Sequence, residues 1–263
     1  MKKIIALFTL CLSLGWLSLA SSICYAEDVA YLLTAASKGD IATVKAMLES
    51  GVNANTKDAD DISALMYAAR KDKADVAALL VSKGAEVNAK DKGGWTPLMF
   101  AARKNNVATV KVLLEHGADP KIRDASGWSA FGMAATAGYS EVVDLMIKHG
   151  VDANAKADDG KTALMYAAKS GDVATIMALM AKGAQANAHD RQGATALMYA
   201  AREGHAPAVA YMLSKGVSTG VSMGINVDEQ DQSRWTALTW AVKKSQMEVA
   251  KELIAKGANV NHE

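Results

Sequence analysis

Short apolar words return along this chain at a fixed distance. They read SALMYAA from Ser63, TPLMFAA from Thr96, SAFGMAA from Ser129, TALMYAA from Thr162 and again from Thr195, and TALTWAV from Thr236. Their starts step by 33 residues, and only the last step is longer, at 41. A second marker keeps the same time: Gly51, Gly84, Gly117, Gly150, Gly183 and Gly216 step by 33, then Gly257 by 41. Two markers with one period predict an array of stacked units and exclude a single globular core.

One unit can be read from its residues. Thr96 suits a helix N-cap, because its hydroxyl can accept from a backbone N–H two or three residues on. Pro97 follows at the first helical position, where a missing N–H costs nothing. At 100° per residue, Leu98, Ala101 and Ala102 share one narrow face, and two alanines let another helix come close. A break is expected at Asn105 and at the matching Gly39, Asp72, Gly138, Gly171, Gly204 and Ser245. All but the serine are types that tolerate a left-handed backbone. A second helix is predicted from about Val107 to Glu115, with Val110, Leu113 and Leu114 at i, i+3 and i+4 and Gly117 as its stop. Asp91 and Gly94 read as a tight turn before the next capping residue.

This helix–turn–helix–turn unit resembles the ankyrin repeat, whose signature is T-P-L-H-x-A-A followed by a helix ending in L-L-x-x-G-A-x-x-N. The second part stands here as LLVSKGAEVN (79–88), LLEHGADP (113–120) and LIAKGANVN (253–261). The resemblance implies an all-α solenoid, an ankyrin-repeat array of about seven helix-turn-helix units with β-turn or hairpin fingers. Repeats fall at about 28–60, 61–93, 94–126, 127–159, 160–192, 193–232 and 233–263. Met66, Met99, Met165 and Met198 hold the place of the family's His, with Gly132 and Thr239 in two other copies. Flexible apolar packing is therefore expected where the family has a buried polar network. Gly132 weakens a helix interior by about 1 kcal/mol relative to Ala, which marks residues 127–159 as the expected soft point. Lys243, Lys244, Lys251, Glu252 and Lys256 predict a polar outer face on the last repeat.

Residues 1–26 read as a separate object. Lys2-Lys3, an apolar run from Ile4 to Ala20 and small residues before Cys24-Tyr25-Ala26 form the pattern of a secretory signal peptide cut after Ala26. The run is slightly short for a membrane span, which needs about 20 apolar residues. The expected domains are thus a leader at 1–26 and a repeat domain at 27–263, in the bacterial periplasm or secreted, with no stable membrane anchor after cleavage. Both cysteines, Cys11 and Cys24, lie in the leader, which excludes a disulfide framework or a thiol nucleophile from the rest. Of 29 Lys and Arg, the two in the leader leave 27 against 28 Asp and Glu, so no global charge favours nucleic acid.

No catalytic spacing appears: GxSxG, HExxH and P-loop patterns are absent. His116, His149, His189, His205 and His262 are scattered. His116 and His149, one repeat or roughly 10 Å apart, cannot share a metal that needs ligands at about 2 Å. A methionine ladder for a soft metal is possible chemistry, but helical packing explains those residues more simply. We expect no enzyme, metal or cofactor.

Opposite the Leu98 face, the helical wheel places Phe100 and Arg103. Tyr67, Met133, Tyr166, Tyr199 and Trp240 match the first; Arg70, Thr136, Lys169, Arg202 and Lys243 match the second. Stacking predicts an aromatic stripe beside a basic one on the concave side. Trp95, Trp128 and Trp235 precede the capping residues, near the fingertips. In the family this is the usual partner surface, and aromatic and Arg residues are enriched in interface hot spots. The expected function is a non-catalytic scaffold binding a protein or peptide, with the basic stripe favouring an acidic or extended polar surface. Two alternatives stand beside it: a periplasmic helper in oxidative-stress defence with methionines as oxidant sinks, and a secreted host-directed effector. Eight extra residues between Gly216 and Trp235 contain Gly220, Val221, Met223, Gly224 and Ile225. Such an insertion in a solenoid usually emerges as a loop.

Overall fold

The computed structural model describes residues 17–218 and 225–261. Residues 1–16, which hold the leader's basic pair and much of its apolar run, lie outside the described residues, as do Gly220, Val221, Met223 and Gly224 of the insertion and His262. Fourteen helices follow one another among the described residues. They are α1 (Leu17–Lys38), α2 (Ile41–Glu49), α3 (Ala64–Arg70), α4 (Ala74–Ser82), α5 (Pro97–Ala102), α6 (Val107–Glu115) and α7 (Ala130–Ala137), then α8 (Ser140–Lys148), α9 (Ala163–Ser170), α10 (Val173–Ala181), α11 (Ala196–Glu203), α12 (Ala206–Ser218), α13 (Ala237–Lys243) and α14 (Met247–Ala255). Odd-numbered helices pack on one another as an inner layer, and even-numbered ones as an outer layer. Between repeats the chain reaches out as fingers, closed in three places by isolated antiparallel bridges, Lys57 to Ser63, Arg123 to Ser129 and Lys156 to Thr162.

The unit forms for local reasons. Thr96 caps α5 by accepting from the Met99 N–H, with Pro97 in the first turn. Between the helices, all seven expected break positions have positive φ, from 53° at Asp72 to 84° at Gly204. Ser245 joins them at φ 57° although its Cβ disfavours that region. The next residue then returns its N–H to the carbonyl five back, as Asn106 does to Ala101 at 3.0 Å, which satisfies a helix-end carbonyl. The helix α6 occupies the span predicted for it, with Val110, Leu113 and Leu114 buried.

Packing holds the layers together. Leu65, Met66, Ala68 and Ala69 are all wholly buried, and Leu98, Met99, Ala101 and Ala102, then Leu164, Met165, Ala167 and Ala168, are at most 1% exposed. No unit could bury these faces alone, so each repeat is stabilised by its neighbours. The methionines do more than pack. Met66, Met99 and Met165 Sδ accept the N–H of their own capping residue at 3.4, 3.5 and 3.4 Å. That contact closes a capping box with sulfur where Glu or Gln is usual. Purely apolar packing at this place was the wrong expectation.

Two further expectations are corrected. Gly216 does not stop its helix: α12 runs through it to Ser218. The last repeat is also less polar than its lysines suggest, because Val242, Ile254 and Val260 are 60%, 48% and 60% exposed there.

Gly132 lies inside α7 with ordinary helical φ, and a Cβ placed on it would meet Trp128 Cε3 at 3.4 Å, ordinary contact. Replacing Gly132 with Ala should therefore raise stability by about 1 kcal/mol. A urea melt of the full chain reads this directly, and a lower midpoint in the variant would contradict it.

Candidate functional site

The concave surface is built from finger tips and the exposed edges of the inner helices. Each finger turns around one side chain. Asp91 Oδ1 accepts the N–H groups of Gly93 and Trp95 at 2.9 and 2.7 Å. Asp58, Asp124, Asp190 and Asp231 do the same for their own turns. The second oxygen of three of them reaches the inner helix: Asp58 accepts from Tyr67 Oη at 2.8 Å, Asp190 from Tyr199 Oη at 2.6 Å and Asp231 from Trp240 Nε1 at 2.9 Å. In the finger leading into the 160–192 repeat Ala157 replaces that aspartate, and Asp159 takes the Tyr166 hydroxyl instead, both oxygens at 3.1 Å, together with Lys161. Phe100 and Met133 have no polar tip, so Asp91 and Asp124 receive nothing from the inner helix.

These ties correct the expected aromatic stripe. Tyr166 and Tyr199 are only 7% and 8% exposed, and Met133 is buried as well. A finger folds over that edge of the helix and takes the hydroxyl, which a buried phenol must place on an acceptor. Burial first, then the neighbouring aspartate, holds both phenols well above their ordinary value. For Tyr67 the hydrogen bond to Asp58 comes first in the same direction. Burial alone would raise the Asp58 carboxyl, but the N–H groups of Ile62 and Asp60 and the Tyr67 phenol together hold it below the usual range. That contribution to folding is complete above the unfolded value of about 3.9 and is lost as pH falls through the lower folded value.

The remaining rings are half-buried and stacked. Trp95 meets Phe100 with centroids 5.2 Å apart, Trp128 meets Tyr166 of the next repeat at 5.0 Å, and Trp235 meets Trp240 at 4.7 Å. Cations lie over them: Arg70 on Tyr67 at 4.9 Å, Arg103 on Trp95 at 5.4 Å, Arg202 on Tyr199 and Trp240 at 5.2 and 5.4 Å, and Lys243 on Trp235 at 3.5 Å. The basic stripe is thus divided. Arg202 is held by the Glu203 carboxylate at 2.9 Å, whereas the guanidinium groups of Arg70 and Arg103 and the Lys169 ammonium meet no carboxylate within salt-bridge distance among the described residues. Arg103 and Lys169 are exposed.

The finger aspartates are the residues that sequence reasoning missed as a set. Their signal was present, since Asp58, Asp91, Asp124 and Asp190 keep the 33-residue step and Asp231 the step of 41. The expected methionine sink is overturned: Met66, Met99, Met165 and Met198 are at most 2% exposed, out of reach of a dissolved oxidant. Among the described residues no three His, Cys, Asp or Glu side chains gather as a metal site would. No helix there is long and apolar enough to cross a membrane.

Replacing Tyr199 with Phe should cost about 1.5–3 kcal/mol, because it leaves the second oxygen of a charged and buried Asp190 without its partner. Chemical unfolding of the two chains compares them, and an unchanged midpoint would sink the tie.

Known proteins place this geometry. No curated protein sequence matches the chain. The crystal structure of the human ASB11 ankyrin repeat domain superposes with a TM-score of 0.76 at 25% identity, covering 87% of this chain and 98% of that one. The ankyrin repeat domain of Bcl-3, described as a unique member of the IkappaB protein family, gives 0.73 at 23% identity, covering 85% and 97%. The family model described as ankyrin repeats (3 copies) matches residues 32–124, 131–222 and 171–263. With most of its length matched by that model, the chain belongs to the ankyrin-repeat family.

Proposed function

We propose that this chain is an exported, non-catalytic scaffold that docks a protein or peptide across its concave face, in the periplasm or beyond. Ankyrin repeats are in general protein–protein interaction modules and typically non-catalytic. The observation that carries the more specific reading is the state of Arg103. Its guanidinium carbon lies 5.4 Å from the centre of the Trp95 ring, and no carboxylate among the described residues pairs with it. A guanidinium without a carboxylate offers N–H donors that match a carboxylate from a partner. Arg70 and Lys169 extend the same stripe to either side. An acidic or extended polar partner surface supplies the missing charges, and an apolar one would leave them desolvated and unpaired. Export rests on the leader pattern at 1–26, and the 27 Lys and Arg against 28 Asp and Glu beyond it give nucleic acid no global excess of positive charge.

The test is capture from periplasmic extract by the full chain and by a triple variant, Arg70→Ala, Arg103→Ala and Lys169→Ala, which spares the paired Arg202. We expect a partner held by the first and lost at least tenfold by the second, with N-terminal sequencing of the exported bait beginning at Glu27. A partner retained equally by both would place the interface off this stripe.

A further inference from the structure

The two ends of the array carry the two halves of its own repeat-to-repeat contact. Consider first the places that every internal repeat turns toward the repeat after it. Val242 stands where Ala36, Ala69, Ala102, Ala135, Ala168 and Ala201 are wholly buried, yet it is 60% exposed. Ile254 takes the place of Leu114, Met180 and Leu213, which are buried, and Val260 that of Ala54, Ala153 and Ala186, also buried. The last repeat therefore shows a bare apolar face of the kind its predecessors cover. At the other end, Thr43 is half-buried where Thr109, Val142 and Thr175 are wholly buried. Ala46 is exposed where Leu79, Val112 and Leu145 are half-covered, and Tyr31 is 53% exposed.

The polar contacts divide in the same way. At three joints inside the array an asparagine pins the following repeat. Asn55 Nδ2 donates to the Gly84 carbonyl at 3.0 Å, and its Oδ1 accepts the Glu86 N–H at 2.7 Å. Asn88 does this for Gly117 and Asp119, and Asn154 for Gly183 and Gln185. Asn261 holds that place in the last repeat, exposed, with its side-chain amide bound to nothing among the described residues. Gly51 and Asn53 hold the receiving places in the first repeat, and no asparagine amide meets their carbonyl and N–H.

A third contact adds charge. At several joints the residue after the left-handed turn reaches back to the preceding repeat. Asn106 Nδ2 donates to the Ala69 carbonyl at 2.7 Å, His205 Nε2 lies 3.0 Å from the Lys169 carbonyl, and Lys73 packs on Gly39. Asp40 is that residue in the first repeat, and Lys243, Lys244 and Ser245 form the matching helix end in the last. Stacking a first repeat on a last repeat brings an aspartate to two lysines.

We propose that a second copy of this chain docks head to tail, its first repeat on the last repeat of its neighbour. The contact is heterologous: one face differs from the other, so both remain available at the ends of a pair and association is open-ended. Val242, Ile254 and Val260 supply the apolar area, Asn261 the hydrogen bonds to Gly51 and Asn53, and Asp40 the partner of Lys244.

Sedimentation velocity of the full chain across micromolar to submillimolar concentration tests this. The expected result is a mass that climbs with concentration past twice the 27.6 kDa of one chain. A head variant, Tyr31→Glu with Ala46→Glu, and a tail variant, Val242→Glu with Ile254→Glu, should each remain monomeric. All four positions are exposed, so the fold tolerates them. An equimolar mixture of the two should form a pair and nothing larger, because one intact head meets one intact tail. In the unmodified chain, carbodiimide should join Asp40 to Lys243 or Lys244 between copies. A chain that stays monomeric throughout would overturn the proposal. So would a single-end variant that still associates, a mixture that does not pair, or a cross-linked dimer without the Asp40 link.

Discussion

The concave face depends on one carboxylate per finger. A finger is a short turn with almost no strand pairing, and its backbone N–H groups need acceptors. Asp58, Asp91, Asp124, Asp190 and Asp231 supply them from within the turn. Where the inner helix carries a ring with a polar tip, the same carboxylate also ties the finger to the helix, as Asp190 does through Tyr199 at 2.6 Å. The cations then stack on the outer sides of those rings. The aromatic residues are thus the wall behind the proposed binding surface, and the cations are that surface.

The ties are not evenly spread. Fingers at 58–62, 190–194 and 231–235 are joined to the inner layer by a phenol or an indole, while those at 91–95 and 124–128 are not, since Phe100 and Met133 have nothing to donate. The untied pair lies in the middle of the array, beside the exposed Arg103 and next to Gly132, itself the weakest helix former in its row. A rigid frame with a looser centre suits a surface that adjusts to a partner, because local opening is easiest where contacts are fewest.

Much of the fold could be read from counting. The 33-residue step set the helices, their capping residues and the turns, and α6 begins and ends where the pattern of Val110, Leu113 and Leu114 places it. What could not be read was burial that depends on another segment. A helical wheel assigns Tyr166 and Tyr199 to the outer side of their helix, and only the fold reveals that a finger covers that side. The same limit hid the sulfur contacts of Met66, Met99 and Met165, since a thioether as a capping acceptor has no sequence signature. Gly216 misled for a different reason: a glycine stops a helix only when the chain beyond it turns away, and here six undescribed residues separate it from the next turn. The finger aspartates were legible in principle, because they keep the same step, but turn residues were read one at a time and not as a series.

Amide hydrogen exchange of the native chain tests the central role of the carboxylate tie most directly. The N–H groups of Ile62, Trp95, Trp128, Ala194 and Trp235 all donate to a finger aspartate at 2.7 to 3.0 Å. They differ in whether that aspartate is also bound by the inner helix. Ile62, Ala194 and Trp235 should exchange more slowly than Trp95 and Trp128 once intrinsic rates are divided out. Equal protection across the five, or faster exchange at Ala194 than at Trp95, would show that the tie to the inner helix does not set finger rigidity.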